Sequence, residues 1–444
     1  MTGVQCITVT GLSDWDCFRG RGVHSCIVPG IKILLDRNFN PLSTMNEFTV
    51  RPAHRKRRAG KSWKNTQNAY ADDCYQYKSF LEALDLDECD VVLDDIKEFG
   101  ACFTDGVSVK TRRKFQPATA YRRFGTALRY HRFRIFKGLP SSVSLAELLS
   151  NGGFREGSLH SDPNSPYGEL PNDTDAADKI HPFLDGNWKP VFDRLGPEVG
   201  DSSRHGRRDR LASETSLITG MRIDEICSIT VQQIRNLARH VDPARPSKLI
   251  SLWITKTKGL KPGFVFLPSF LVKQLLDYID GERQAAIDRA CAVRDDYEPT
   301  PILFVNDVKS SYAAAGNSLS PDTLSRAFSD ACISIGFSHE VDCFVLDEAG
   351  VPLISPSGRN IVEKKLVADH TFHDLRHTFA MLTYIDSARS GGKEPWKAVS
   401  TRLRHSSILT NLRSYLRWLD RAEQEISNAL MRTYRMIDDI GGSN

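Results

Sequence analysis

Hydrophobic and polar positions along the 444-residue chain fall into stretches of different period. Residues 1 to about 50 show short apolar runs punctuated by Gly and Pro, which predicts short strands and turns. Tyr70, Cys74, Tyr77, Leu81 and Leu84 then recur at helical spacing and define one apolar face. The acidic stretch Asp85 to Glu98 predicts a turn and a second helix. Further on, Phe124, Ala127 and Leu128 can face a core while Arg122, Arg129 and Lys137 face out. From about 140 to 178 the chain is rich in Pro, Gly, Ser, Asn and Asp and keeps no period, as a linker or long surface loop would. Helical spacing returns in RDRLASETSLITGMRIDEICSI. In KLISLWITKTKGLKPGFVFLP the period becomes two on either side of a Lys/Gly turn, which predicts a strand pair. Helices follow, interrupted by an irregular loop near 338–370, and no internal repeat is visible. The expected fold is mainly α with a small β-sheet: a helical domain followed by a mixed α/β domain. The expected boundaries are an N-terminal extension of unknown role over 1–58, a helical domain over 59–140, a linker over 141–180 and a second domain over 181–444.

Composition narrows the class. A chain this long can bury a sizeable core in two or three domains. Charged residues at 26% and hydrophobic ones at 40% are those of an ordinary soluble protein. The first residues lack the basic start and long apolar stretch of a signal peptide, and no apolar run reaches the length of a membrane span. The expectation is a cytoplasmic protein without membrane partners, nucleoid-associated in a prokaryote. The ten cysteines are scattered and none forms a CxxC pair, so neither a zinc site nor a disulfide framework is expected. Most are expected to be small buried hydrophobes in a reducing compartment.

The formal net charge of +4 does not by itself imply nucleic acid; its distribution says more. Arg51 to Lys64 is dense in positive charge and reads either as a solvated linker or as a DNA contact. The stretch KTRRKFQPATAYRRFGTALRYHRFRIFKG interleaves cations with Tyr121, Phe124, Tyr130, Phe133 and Phe136. A small helical bundle with one basic face fits it, and basic faces suit phosphate backbones. Arg112, Arg113, Lys114, Arg122, Arg123 and Arg129 are its candidate DNA contacts.

Three later segments carry candidate chemistry. In TGMRIDEICSI, Arg222 and Glu225 share a helix face, either as a surface ion pair or as a guanidinium held by a carboxylate. In HTFHDLRHTFA, His373 and Arg376 lie one turn apart, and His373 and His377 have the spacing of a zinc-binding HxxxH pair. The residue after His373 is Asp374 rather than the Glu of a metalloprotease, and Arg376 would repel a cation, so no metal is expected. In VSTRLRHSSILTNLRSYLRW, His405 precedes Tyr415, which on its own reads as a half-buried aromatic.

The combination, in this order, resembles the tyrosine recombinase or phage integrase family. The resemblance rests on T-G-M-R-x-x-E-I, a lysine in a β-turn, H-x-L-R-H-T-x-A, and L-x-H-S-S-I-x-T followed by Y-L-R. It is specific over roughly 205–420, weaker over about 60–140, and does not reach the first 50 residues. It implies a helical core-DNA-binding domain, a mixed α/β catalytic domain, and Arg222, Lys258, His373, Arg376, His405 and Tyr415 as catalytic residues. Glu225 and His377 would support them. Lys256 competes with Lys258 for the turn position. Two positions depart from the family pattern: Arg404 stands where Gly usually precedes the His, and Asn411 replaces a common second Thr.

What the resemblance implies is site-specific cleavage and rejoining of DNA through a 3′-phosphotyrosine, without cofactor. A neutral phenol, with a pKa near ~10, is a weak nucleophile and needs a base and an electrophilic phosphate. Two guanidiniums can grip non-bridging oxygens bidentately, two histidines can assist, and a lysine can protonate the leaving 5′ oxygen. The implied partners are double-stranded DNA with specific recombination sites, further copies of the chain in a homotetramer, and accessory DNA-bending or partner recombinase proteins. The tail from Arg421 is amphipathic and suits either its own domain or a neighbouring subunit. Type IB topoisomerase-like strand passage and non-catalytic DNA binding are the competing functions.

Overall fold

The computed structural model describes residues 3–10, 28–58, 63–104, 106–151, 181–183, 187–197, 206–255, 262–390 and 394–404. They divide into two compact units. The first takes the described residues up to 151 together with 342–364, and the second takes 181–341 and 365–404. The architecture is mainly helical, with three two-stranded sheets among the described residues.

In the first unit β1 (Gln5–Thr8) pairs antiparallel with β2 (Lys32–Leu35), Cys6 opposite Leu34. Helices α1 (Ser43–Arg58), α2 (Lys64–Ala83), α3 (Leu93–Ala101), α4 (Pro117–Phe136) and α5 (Leu145–Asn151) follow. Two buried amides complete the strand pairing of β2. Asn46 on α1 accepts from the Leu34 N–H and donates to the Leu34 carbonyl, both at 2.8 Å. Gln67 on α2 does the same for Lys32, at 3.0 and 2.8 Å. A strand of four residues thereby satisfies its backbone groups on both edges. Leu34, Met45 and Phe48 share one apolar core with Tyr77, Phe99 and Phe124, so residues 28–58 and the helices after them form a single packed body.

Arg51 to Arg58 of the basic stretch therefore form the second half of helix α1 rather than a linker. Val50 and Ala53 are buried while Arg51, Arg55 and Arg57 are exposed. Pro52, inside the helix, obscures this in the sequence, because proline cannot donate to the carbonyl four residues back. On α2 the expected face holds for Cys74, Tyr77 and Leu81, but Leu84 is exposed, because the helix ends at Ala83 and Leu84 caps it.

The second unit contains α6 (Trp188–Leu195), α7 (Arg208–Thr219), α8 (Ile223–Ile226) and α9 (Val231–Arg235), then strands β3 (Leu249–Ile254) and β4 (Gly263–Pro268). Then come α10 (Ser269–Tyr278), α11 (Gln284–Val293), α12 (Pro321–Ser334), strands β5 (Ser338–Phe344) and β6 (Val362–Ala368), α13 (Phe372–Arg389) and α14 (Pro395–Leu403). Strands β3 and β4 pair antiparallel with Leu252 opposite Val265. Their alternation is the one expected: Ile250, Leu252, Ile254, Val265 and Leu267 enter the core, while Trp253 and Phe264 meet on the outer face, ring centroids 4.6 Å apart.

The expected irregular loop near 338–370 instead contains the β5–β6 pair. Charged residues interrupt both strands, β6 is exposed over its first five residues and only Cys343 of β5 is buried, so the pair lacks the period-two signal that half-buried strands show. Residues 342–364 of this segment belong to the first unit. There the Phe344 N–H donates to the Arg112 carbonyl at 2.7 Å and Arg112 faces Glu363 at 2.7 Å.

Eight cysteines lie among the described residues, all as free thiols; Cys74, Cys332 and Cys343 are buried and Cys102 and Cys291 exposed. No described helix is long and apolar enough to cross a membrane.

Candidate active site

Helix α7 ends at Gly220 in the left-handed conformation, φ 67°. A Cβ there would lie 2.4 Å from Phe379 and 2.9 Å from Leu403, so only glycine fits both the backbone and the space. Two residues on, Arg222 is the N-cap of the short helix α8. Its own N–H donates to Glu225 Oε2 at 3.0 Å, the reciprocal half of a capping box, and its guanidinium reaches Glu225 Oε1 at 3.3 Å. Glu225 is 1% exposed and Arg222 23%, so the carboxylate is sunk beneath the guanidinium it holds. The pair is thus partly buried rather than a surface ion pair.

Helix α13 supplies the second arginine. Asp374 at N3 accepts from the Thr371 N–H at 2.7 Å and hydroxyl at 3.0 Å, which fixes the start of the helix. The sequence then places His373 and Arg376 one turn apart. His373 is exposed, His377 is half-buried, and their rings meet edge to face with centroids 4.7 Å apart. Arg376 is buried and donates to two backbone carbonyls: Nη1 to Gly220, and Nη2 to Leu403 at 2.8 Å. One guanidinium thereby ties the end of α7, two residues before Arg222, to the end of α14, two residues before His405. Segments more than 150 positions apart in the chain meet at this side chain. Among the described residues no group of three or more His, Cys, Asp or Glu is arranged to hold a metal ion, so the HxxxH spacing of His373 and His377 lacks a third ligand there.

Arg404, which the sequence marked only as a departure from a glycine, sits at the end of α14 with φ 55° and ψ 41°. A side chain in this left-handed region costs roughly 1 kcal/mol. It extends to Glu225, Nη2 to Oε2 at 2.6 Å, and the Arg404 side chain is 9% exposed. Glu225 therefore sits between two guanidiniums. Sequence reasoning missed this contact. The available signal was an arginine directly after a helix end, where a left-handed residue is common.

His405, Tyr415, Lys256 and Lys258 lie outside the described residues, as does the tail after Arg421. Among the described candidates, Arg222 pairs with Glu225, Arg376 bonds the carbonyl of Gly220 two residues before Arg222, and the rings of His373 and His377 meet.

The candidate DNA contacts of the first unit separate into two groups. On α4, Arg122 and Arg129 are seven residues apart and both exposed. Arg122 contacts Asp73 at 2.6 Å, and Arg129 lies over the Tyr70 ring at 5.4 Å. Lys114 is also exposed, Arg113 is half-buried, and Arg112 is exposed and paired with Glu363. Arg123 points inward instead: it is 13% exposed, stacks on Phe103 and Phe115 at 4.1 and 4.7 Å, and lies 3.8 Å from Asp73. Arg134, in the same basic stretch, is buried on Glu88 at 2.5 Å. Burial raises the Asp73 carboxyl above its ordinary range, against the pull of Arg122.

No protein-family model and no curated protein matches the chain. Among solved structures the chain is similar to the XerH site-specific recombinase bound to palindromic difH substrate in a post-cleavage complex, with 16% identity and a TM-score of 0.46, covering 86% of this chain and 84% of that one. It is similar to a lambda integrase dimer bound to a COC′ core site, with 13% identity and a TM-score of 0.44, covering 84% and 94%. It is also similar to the Tn1549 transposon integrase in complex with a circular intermediate DNA, with 15% identity and a TM-score of 0.43, covering 82% and 92%. The solved structures to which the chain is similar thus include recombinases and integrases bound to DNA.

Proposed function

We propose that the chain is a site-specific DNA recombinase that breaks and rejoins DNA through a covalent phosphotyrosine at Tyr415. The observation that carries the reading is the junction at Arg376. Two arginines from separate motifs are fixed by backbone groups and one buried carboxylate, with His373 one turn away and the chain to His405 leaving from Leu403. Guanidiniums fixed before substrate arrives need little reorganisation to stabilise a pentacoordinate phosphate, the usual source of the largest catalytic effect. In the proposed step the Tyr415 oxygen bonds to phosphorus and the bond from phosphorus to the 5′ oxygen breaks. The phenol proton passes to His373, and the 5′ oxygen takes a proton from Lys258, or from Lys256 beside it. Arg222 and Arg376 bind the non-bridging oxygens, and His405 donates to the same phosphate. A second 5′ hydroxyl reverses the step, so the strand reseals without a nucleotide cofactor. Two such rounds in a homotetramer, with accessory proteins, would complete an exchange, acting where the DNA lies, in a prokaryotic nucleoid. The exposed arginines of α4 would hold the duplex backbone.

The test is to trap the protein on sheared genomic DNA from its source, denature, and sequence the attached ends. The expected result is attachment at Tyr415 to 3′ phosphates at one recurrent sequence, followed by recombinant products. Relaxed supercoils without recombinants would mark a topoisomerase instead. DNA binding without attachment would mark a protein that binds and does not cut.

A further inference from the structure

The proposed function gives no role to Arg404, whose side chain is 9% exposed. Its backbone occupies a left-handed position that glycine would fill without strain. Its stem lies against the start of β4: a Cβ at Gly263 would come within 3.0 Å of Arg404 Cδ and 3.4 Å of Cγ. Among the described residues its Nε and Nη1 are buried without a hydrogen-bond partner. Strain and unpaired donors both oppose this placement. The contact that offsets them is the 2.6 Å ion pair with Glu225.

Two consequences follow from that pair. Leu403 and Arg404 are adjacent, and each is fixed by one of the arginine sites: the Leu403 carbonyl by Arg376, and the Arg404 side chain by the carboxylate beneath Arg222. The chain that leads to His405 and Tyr415 therefore starts from two anchors. Glu225 also lies closer to Arg404 than to the Arg222 guanidinium, 2.6 against 3.3 Å. It holds Arg222 by the backbone N–H at 3.0 Å and, at a longer 3.3 Å, by the guanidinium. We propose that Arg404 is a positioning residue. Through Glu225 it locks the end of α14 to the arginine site, and it draws the carboxylate away from the Arg222 guanidinium.

This inference rests on the function proposed above, and its test separates the two. Arg404→Gly removes the guanidinium but keeps the left-handed backbone, so the turn can still form. Arg404→Lys keeps a cation for Glu225. The full chain and both variants are compared at a temperature where circular dichroism shows all three folded. Three quantities are read: the single-turnover rate of covalent attachment to a nicked duplex of the trapped sequence at saturating protein, the affinity for that duplex, and amide hydrogen exchange without DNA in peptides spanning 219–227 and 395–404. Attachment by Arg404→Gly should slow roughly 10- to 100-fold, as for a misplaced reacting group. Affinity should change less than about threefold, because Arg404 does not touch the phosphate backbone in this reading. Exchange should rise in both peptides, and Arg404→Lys should fall between parent and Arg404→Gly in rate and in exchange. Attachment by Arg404→Gly at the parental rate, or a loss that only tracks affinity, would overturn the proposal. So would unchanged exchange in 219–227. If the parent itself forms no adduct, the proposed function fails, and the exchange measurement alone still decides whether Arg404 is the lock.

Discussion

The arginines of α4 in the first unit and those around Gly220 and Leu403 in the second are held by different partners. In the first, each carboxylate serves two cations: Asp73 faces Arg122 and Arg123, and Glu88 faces Arg134 with Lys78 at 3.5 Å. Aromatic rings cover what the acids leave, as Phe103 and Phe115 do for Arg123. In the second, Arg222 and Arg404 share one carboxylate, and Arg376 holds two neutral carbonyls. The first arrangement joins α2 to α4 and presents Arg122 and Arg129 outward. The second concentrates positive charge at a point fixed by the backbone. Similar side chains thus build a scaffold in one place and, in the proposed function, an anion-directed site in the other.

The sharpest way to break this comparison is at Arg376. Arg376→Ala should lower the rate of covalent attachment by about 10²- to 10³-fold, the effect of losing one fixed donor to a transition-state charge. It should also destabilise the second unit by roughly 2 kcal/mol or more, because the Gly220 and Leu403 carbonyls lose their partner. Single-turnover gels and urea titration read the two. A full-rate variant would make Arg376 scaffold only, as Arg134 is in the first unit.

Glu225 comes next. Glu225→Gln keeps the shape but removes the charge between two guanidiniums, and should cost about 3 kcal/mol in urea unfolding. A loss under about 1 kcal/mol would place the pair among surface ion pairs despite its burial.

Smaller still is a pH effect confined to the first unit. His131 Nε2 lies 2.7 Å from the Tyr77 hydroxyl, and burial, with Arg134 second, pushes its pKa down to about 3. The unfolded imidazole takes a proton below about 6.5 and the folded one does not. The neutral ring therefore contributes stability that is complete above 6.5 and declines as pH falls toward 3. Between pH 6.5 and 5 the loss should be roughly 2 kcal/mol relative to His131→Gln, which can still bond Tyr77 and does not titrate. Hydrogen exchange of α2 and α4 amides measures it. Parallel pH curves for the two proteins would contradict it.

The smallest effect separates outward from inward arginines on one helix. Replacing Arg122 and Arg129 together by Ala should flatten the dependence of log affinity on log salt by about 2. Arg123→Ala should leave that slope unchanged and destabilise the unit instead, by about 1 kcal/mol or more.

The sequence made some of this legible. Strands β3 and β4 carried a clean alternation, and α13 joined a capping sequence to His373 and Arg376, so both could be placed from local pattern. Three features could not. Charged residues interrupt the β5–β6 pair, and period-two reasoning needs one apolar face. Arg123 stood among the candidate DNA contacts because it lies in the basic stretch; a buried Asp73 and two phenylalanines hold it inward, and no local pattern reports the Asp73 contact from so far along the chain. Arg404 could be recognised as out of pattern, but its partner lies 179 positions earlier. Motif spacing indicated that the two arginine segments belong together. Only the fold shows that Gly220 and Leu403 are the backbone groups that join them.

The central claim is that the fixed positive charge at Arg222 and Arg376 serves a phosphate in the act of cleavage. The most direct measurement replaces one non-bridging oxygen of the scissile phosphate by methyl, which removes the negative charge the arginines would meet. Attachment rates of parent and Arg222→Ala are compared on the phosphate and the methylphosphonate duplex. The expected result is a defect of about 10²-fold or more on phosphate that shrinks by about tenfold or more on methylphosphonate. An equal defect on both substrates would contradict the account, because Arg222 would then act on something other than the phosphate charge.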